Sequence, residues 1–138
     1  MSQHRVTREH AKGLINVKSY VPKPYDEPAD GPKLVQISVT ETFSGDITGD
    51  GAAEFLQTVR PDGSASFVGV ERVVGKVGDR SGTFVFQDQG TLEGKTVSGT
   101  WFVVPGSGTG ELKGLRGEGG FTAELGEHAK ITLDYWFE

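Results

Sequence analysis

Apolar and polar residues alternate with period two along most of the chain, the spacing of half-buried strands. Val35, Ile37, Val39, Glu41 and Phe43 fall on one face of one run, and Leu34, Gln36, Ser38, Thr40 and Thr42 on the other. In the last run Ile131, Leu133, Tyr135 and Phe137 oppose Thr132, Asp134, Trp136 and Glu138. Phe84 and Phe86 oppose Val85 and Gln87, while Val97, Gly99, Trp101 and Val103 oppose Ser98 and Thr100. Turn signals separate the runs: Asp62-Gly63 behind Pro61, Gly49-Asp50-Gly51, Gly78-Asp79, Glu93-Gly94 and Gly119-Gly120. The pattern predicts eight strands, over 13–21, 33–44, 52–60, 65–77, 80–92, 95–104, 110–118 and 129–137, with a short piece near 120–125 extending the seventh.

No segment carries helical periodicity. Residues 1–12 read as a mobile tail, 13–138 as one β-barrel domain, and the stretch from Pro22 to Pro32 as a surface loop. Eight antiparallel strands with short turns predict an all-β closed barrel, because closure removes the exposed edges of an open sheet. A two-sheet sandwich is the alternative.

Composition narrows the function classes. The chain has 138 residues, enough for one domain with a real core. Its net charge of −5 argues against a large surface for nucleic acid or anionic membrane. No apolar stretch approaches the ~18 residues of a membrane span, and the polar start lacks a signal core, so a cytoplasmic protein is expected. The absence of cysteine removes disulfides, thiol nucleophiles and thiolate metal sites.

Four motifs fail on spacing or context. Gly90-Thr91-Leu92-Glu93-Gly94-Lys95-Thr96 is one residue short of a phosphate loop and leads into a strand rather than a helix, so it reads as a hairpin turn. Asp46-Ile47-Thr48-Gly49-Asp50-Gly51 echoes a calcium loop, but Thr48 stands where Asp or Asn belongs, Gln57 stands where a bidentate Glu belongs, and flanking helices are absent; it reads as a strand-connecting turn. Gly106-Ser107-Gly108 is no nucleophile elbow, since Pro105 replaces its first glycine, and His4, His10 and His128 have no evident triad or metal partners. The glycine-rich run from Gly106 to Gly120 lacks the dinucleotide spacing and reads as a turn leading into a curved strand.

Charged residues on apolar faces are more informative. Glu41 shares a face with Val39 and Phe43, Glu71 with Phe67 and Val73, Asp88 with Phe84 and Phe86, and Arg116 with Leu112 and Gly114. The face of strand 65–77 is ambiguous, because Val68, Val70 and Val74 occupy its other side. If these faces turn inward, one guanidinium meets three carboxylates, and at least one acid should hold its proton. Structural pairing or solvation at a barrel mouth is the plainer account of any one of them.

Phe43-Ser44-Gly45-Asp46, Phe67-Val68-Gly69-Val70-Glu71-Arg72, Gly82-Thr83-Phe84-Val85, Val103 to Leu112, Leu115-Arg116-Gly117 and Leu133-Asp134-Tyr135 together resemble a bacterial family of small proteins described only as a domain of unknown function. The resemblance spans nearly the whole chain after residue 12. It implies a barrel similar to that of allene oxide cyclase and the plant dirigent proteins, which guide a reactive organic intermediate in a pocket. It also implies a histidine where this chain carries Asp88. No catalytic residue of those enzymes can be matched to a position here.

The leading expectation is a barrel that binds an apolar or aromatic small molecule, with Phe67, Phe84, Phe86, Asp88, Trp101, Arg116 and Tyr135 lining the site. The alternatives are an isomerase or cyclase using Glu41 or Glu71 as its acid, and a solid oligomerising module with an interface near Trp136. No cofactor, metal, nucleic acid or membrane partner is called for.

Overall fold

Residues 7–138 are described by the computed structural model. Eight antiparallel strands follow one another in chain order and close on themselves, β1 pairing with both β2 and β8. They are β1 (Glu9–Asp26), β2 (Lys33–Gly45), β3 (Ile47–Val59), β4 (Ala65–Val77), β5 (Arg80–Glu93), β6 (Thr96–Val103), β7 (Leu115–Glu124) and β8 (Ala129–Phe137). The all-β closed barrel predicted from alternation is the observed architecture. Alternation also sets its inside and outside. In β4, Ala65, Glu71, Val73 and Val77 are buried, while Val68, Val70, Arg72, Val74 and Lys76 face out.

Four local expectations change. First, β1 begins at Glu9, so residues 9–12 pair with β8 instead of trailing as a tail; residues 1–6 lie outside the described part. Second, β1 continues through Pro22 and Pro24 to Asp26, where a loop was expected. Its pairing with β8 stops at Ile15, so the far half of β1 bonds only to β2. Proline is tolerated there because an edge strand has no second neighbour waiting for its N–H. Third, Gly49-Asp50-Gly51 lies within β3. The reversal is at Asp46, whose Oδ2 accepts a hydrogen bond from the Lys12 N–H at 2.9 Å. Gly49 serves a close approach instead: at φ 134° a side chain there would run into the Val74 carbonyl of β4.

The fourth change concerns the glycine-rich run. The seventh strand occupies 115–124 rather than 110–118, so Gly119-Gly120, expected as a turn, lies within it. Residues 104–114 fold back along the edge of β5 that β6 leaves free. The Val104 and Thr109 N–H groups donate to the Val85 and Thr83 carbonyls, both at 2.9 Å. A single 3-10 turn, Gly110–Leu112, then places Leu112 fully inside.

This segment plugs one end of the barrel. The core there combines Ile47, Val73, Val77, Phe84, Phe86, Val103, Leu112, Leu115 and Leu133, each almost inaccessible to solvent. Each such side chain contributes roughly 1.5–3 kcal/mol by leaving water. A smaller apolar group, Val35, Ile37, Val39 and Ala53, lines the other half of β2 and β3. The two ends therefore differ, one packed and the other open beside the half of β1 that pairs with β2 alone.

Candidate functional site

The open end holds a cavity of about 730 Å³. Its wall combines Ile37, Val39, Phe55, Phe67, Leu92, Val97, Trp101 and Phe121. Its rim carries Val17 and Tyr20 from β1, and Leu125, Glu127 and His128 from the β7–β8 turn. Glu41, Glu71 and Asp88 reach it from β2, β4 and β5. A second concavity, about 930 Å³, lies on the outside of the sheet across Leu56, Val68, Val70 and Phe102. The interior cavity is the candidate site, because Glu71, both of whose oxygens are unpartnered, lines it and not the outer concavity.

The sheet register explains how the acids meet. Glu41 sits opposite Gly51 on β3, and Glu71 sits opposite Ala53 on the same strand. Two small inward residues on β3 let the side chains on β2 and β4 lean towards each other over it. At Gly51 the clearance is essential: a Cβ there would run into Glu71 Oε2 and crowd Phe43. The aromatic wall uses the same device. A Cβ at Gly69, Gly90 or Gly99 would strike Phe55, Phe67 or Phe121. The rings then form a chain, with centroids 5.5 Å apart for Phe55–Phe67, 6.2 Å for Phe67–Phe121 and 5.3 Å for Trp101–Phe121. Trp101 also lies flat on Phe86 at 3.9 Å, and its indole Nε1–H donates to the Thr132 carbonyl at 3.0 Å.

The three acids are buried: Glu71 is 1% exposed, Asp88 4% and Glu41 7%. Among the described residues, neither carboxyl oxygen of Glu71 has a hydrogen-bond partner, and nor does Asp88 Oδ1. Glu41 and Glu71 are near enough to act on each other as acid and carboxylate: the proton stays with Glu71, and its attraction for the Glu41 carboxylate counts ahead of the repulsion between like charges, which raises Glu71 and favours ionised Glu41. Burial, then the adjoining Glu41 and Asp88, pushes Glu71 up to about 11. Burial also raises Glu41, offset by its interaction with Glu71. Asp88 is pushed up to about 7 by burial and the Glu41 charge. Carboxyls this crowded cannot all ionise at neutral pH, so the cluster stores at least one proton.

The structure divides the sequence-derived candidates. Glu41, Glu71, Asp88, Phe67 and Trp101 line the cavity together. Phe84 and Phe86 are fully buried in the packed half, beneath it. Tyr135 faces inward at the plugged end, packed edge-on against Phe137 with centroids 6.2 Å apart. Arg116 points outward, where it pairs with Glu138 and lies beside Trp136. Its expected inward face came from alternation with Leu112 and Gly114, but those residues belong to the folded-back segment, so the count restarts at Leu115. Among the described residues no guanidinium lines the cavity with the acids. Trp136 is outward but only half exposed, with the Arg8 guanidinium over its ring at 4.3 Å.

Two of the histidines fall among the described residues. His10 Nδ1 lies 2.5 Å from Asp134 Oδ1 on the outer surface, and His128 is on the cavity rim. Among the described residues, no group of three or more His, Asp or Glu is arranged to hold a metal ion. Phe55, Phe121 and Tyr20 were missed as lining residues. Inward alternation with Ala53 marked Phe55; nothing local marked Tyr20, whose face depends on a bulge between Val17 and Ser19.

A family described as "Protein of unknown function (DUF3224)" matches residues 11–135. The chain belongs to this family. The crystal structure of a DUF3224 protein of unknown function from Shewanella oneidensis MR-1 superposes with a TM-score of 0.79. That protein is 32% identical, and the match covers 97% of this chain and 99% of the other. No curated protein matches. The DUF3224 match thus extends over nearly the whole barrel, including both the glycine-rich plug and the strands that carry the acids. Among the described residues, no helix is long and apolar enough to cross a membrane.

Proposed function

We propose that this DUF3224 protein is a cytoplasmic binding barrel, allene-oxide-cyclase-like in its use of the lumen, that takes an apolar or aromatic small molecule into its open end. One observation carries the reading: the open end is a cavity of about 730 Å³ with an aromatic wall and unsatisfied carboxyl oxygens. Small-molecule sites fall within about 300–1,000 Å³ and pair an apolar lining with a few polar groups that orient the ligand. A barrel serving only as structure gains nothing from buried carboxyls without partners, since each costs stability. Trp101 fluorescence and thermal shift against a panel of aromatic and alicyclic compounds test the proposal. Binders should be found, and their affinity should fall in Phe67→Ala and Phe121→Ala. A panel with no binder, or binders indifferent to both substitutions, would overturn it.

The stored proton supports a second reading, an isomerase or cyclase in which Glu71 is the acid and Glu41 tunes it. On that reading Glu71→Gln abolishes turnover of a bound substrate while binding and folding persist. Unchanged turnover in both Glu71→Gln and Glu41→Gln would remove these residues from any catalytic role.

A further inference from the structure

The binding proposal leaves the polar end of the ligand undefined. Among the described residues the cavity lining contains five acids, Glu41, Glu71, Asp88, Glu124 and Glu127, one histidine, His128, and no lysine or arginine. Glu71 lines the cavity from the inward face of β4 and is almost completely buried, and among the described residues neither of its oxygens has a donor. The adjoining wall presents Phe55, Phe67, Trp101 and Phe121. Aromatic faces carry negative charge density and attract cations, most strongly when the site is desolvated. Acids and ring faces therefore favour the same kind of guest. An anionic head would be repelled by the acids. A neutral apolar head would leave the Glu71 and Asp88 oxygens as they are, unpaired.

Resting on the lumen being a binding site, we propose that its ligand is an organic ammonium: the N–H groups bond to Glu71 and Asp88, and the apolar body lies along Phe55, Phe67 and Phe121. A cation in the lumen displaces the proton that Glu71 holds in the empty site, which leaves to solvent, and the ammonium N–H groups then supply the donors in charge-assisted bonds about twice as strong as neutral ones. The acids on the rim, Glu124 and Glu127, extend the same sign of charge to the entrance and draw a cation inward.

Three probes with one aryl body and different heads test this: 2-phenylethylammonium, 2-phenylethanol and 3-phenylpropionate, titrated calorimetrically into the full chain. The ammonium should bind at least about tenfold more tightly than the alcohol, with the carboxylate weakest. In Glu71→Gln and Asp88→Asn that preference should shrink to within about threefold while alcohol binding persists, which also shows that the barrel is intact. Equal or tighter binding of the alcohol or the carboxylate to the unaltered chain overturns the ammonium assignment and leaves the binding barrel standing. Displacement of the ammonium by millimolar calcium or magnesium, lost in Glu71→Gln, overturns it in favour of a metal site. If none of the three probes and no member of the wider panel binds, the binding reading itself fails.

Discussion

Replacing Glu71 with glutamine should flatten the dependence of stability on pH. Burial and its acidic neighbours raise this carboxyl from 4.5 to about 11 on folding. Between those values the folded chain keeps a proton that the unfolded chain has released. Stability from this group is therefore fully present below pH 4.5 and is lost progressively as pH rises towards about 11. One full proton corresponds to about 1.4 kcal/mol per pH unit, or about 3 kcal/mol between pH 7 and pH 9. That is a large share of the roughly 5–15 kcal/mol that holds a domain together. Asp88 acts with the same sign, but its raised value of about 7 confines its effect mostly to lower pH. The interval above neutrality therefore isolates Glu71. Glutamine keeps the shape and cannot ionise. Its amide leaves unpaired hydrogens, at a cost of about 1–3 kcal/mol that does not vary with pH. Urea unfolding of both proteins across this interval gives the two slopes. The unaltered chain should weaken steadily while Glu71→Gln stays nearly level. Parallel profiles, whatever their offset, would show that Glu71 holds no proton in the folded state.

Other substitutions probe the remaining features. Gly51→Ala inserts a methyl group against Glu71 and Phe43 and should cost about 1–3 kcal/mol in urea unfolding, whereas an unchanged midpoint would mean that β3 has slack there. Leu112→Ala empties a fully buried seat in the plug and should cost about 2–5 kcal/mol; a loss below about 1 kcal/mol would mean that the plug contributes little. Phe84→Ala should lower stability by about 3–5 kcal/mol, while Phe67→Ala, on the cavity wall, should cost less stability and more ligand affinity. Arg116→Ala removes an outer-surface pair and should change stability by less than about 1 kcal/mol with ligand affinity unaltered; impaired ligand binding would return Arg116 to the lumen.

Strand number, barrel closure and the inward set of β2, β5 and β8 followed from period-two alternation, because a half-buried strand must present alternate residues to core and solvent. Glu41 and Asp88 were recognisable as inward acids on that ground alone. Glu71 was ambiguous: Phe67 and Val73 beside it and Val68, Val70 and Val74 opposite it make both faces of β4 apolar, and valine is at home on an exposed sheet face. Closure of the barrel resolved it, since the lumen takes one face only. Arg116 and Tyr135 failed for different reasons. The alternation for Arg116 was counted through a segment that folds back as a 3-10 turn, and glycines that tolerate positive φ at Gly106, Gly110 and Gly114 hide that break. Tyr135 has the expected parity but the wrong height, standing at the plugged end, and alternation carries no information about height along the barrel axis.

The meeting of the acids was equally out of reach of local pattern. Glu41, Glu71 and Asp88 are far apart in the chain, and only register places Gly51 and Ala53 between the first two. Pattern says which way a side chain points because that depends on the neighbouring residues of its own strand. Which side chains share a cavity, and whether it stays open, depends on pairings between distant strands and on where a folded-back loop fills the lumen. Here the plug closes one end, the half of β1 that leaves β8 opens the other, and inward glycines leave space for acids and rings between them.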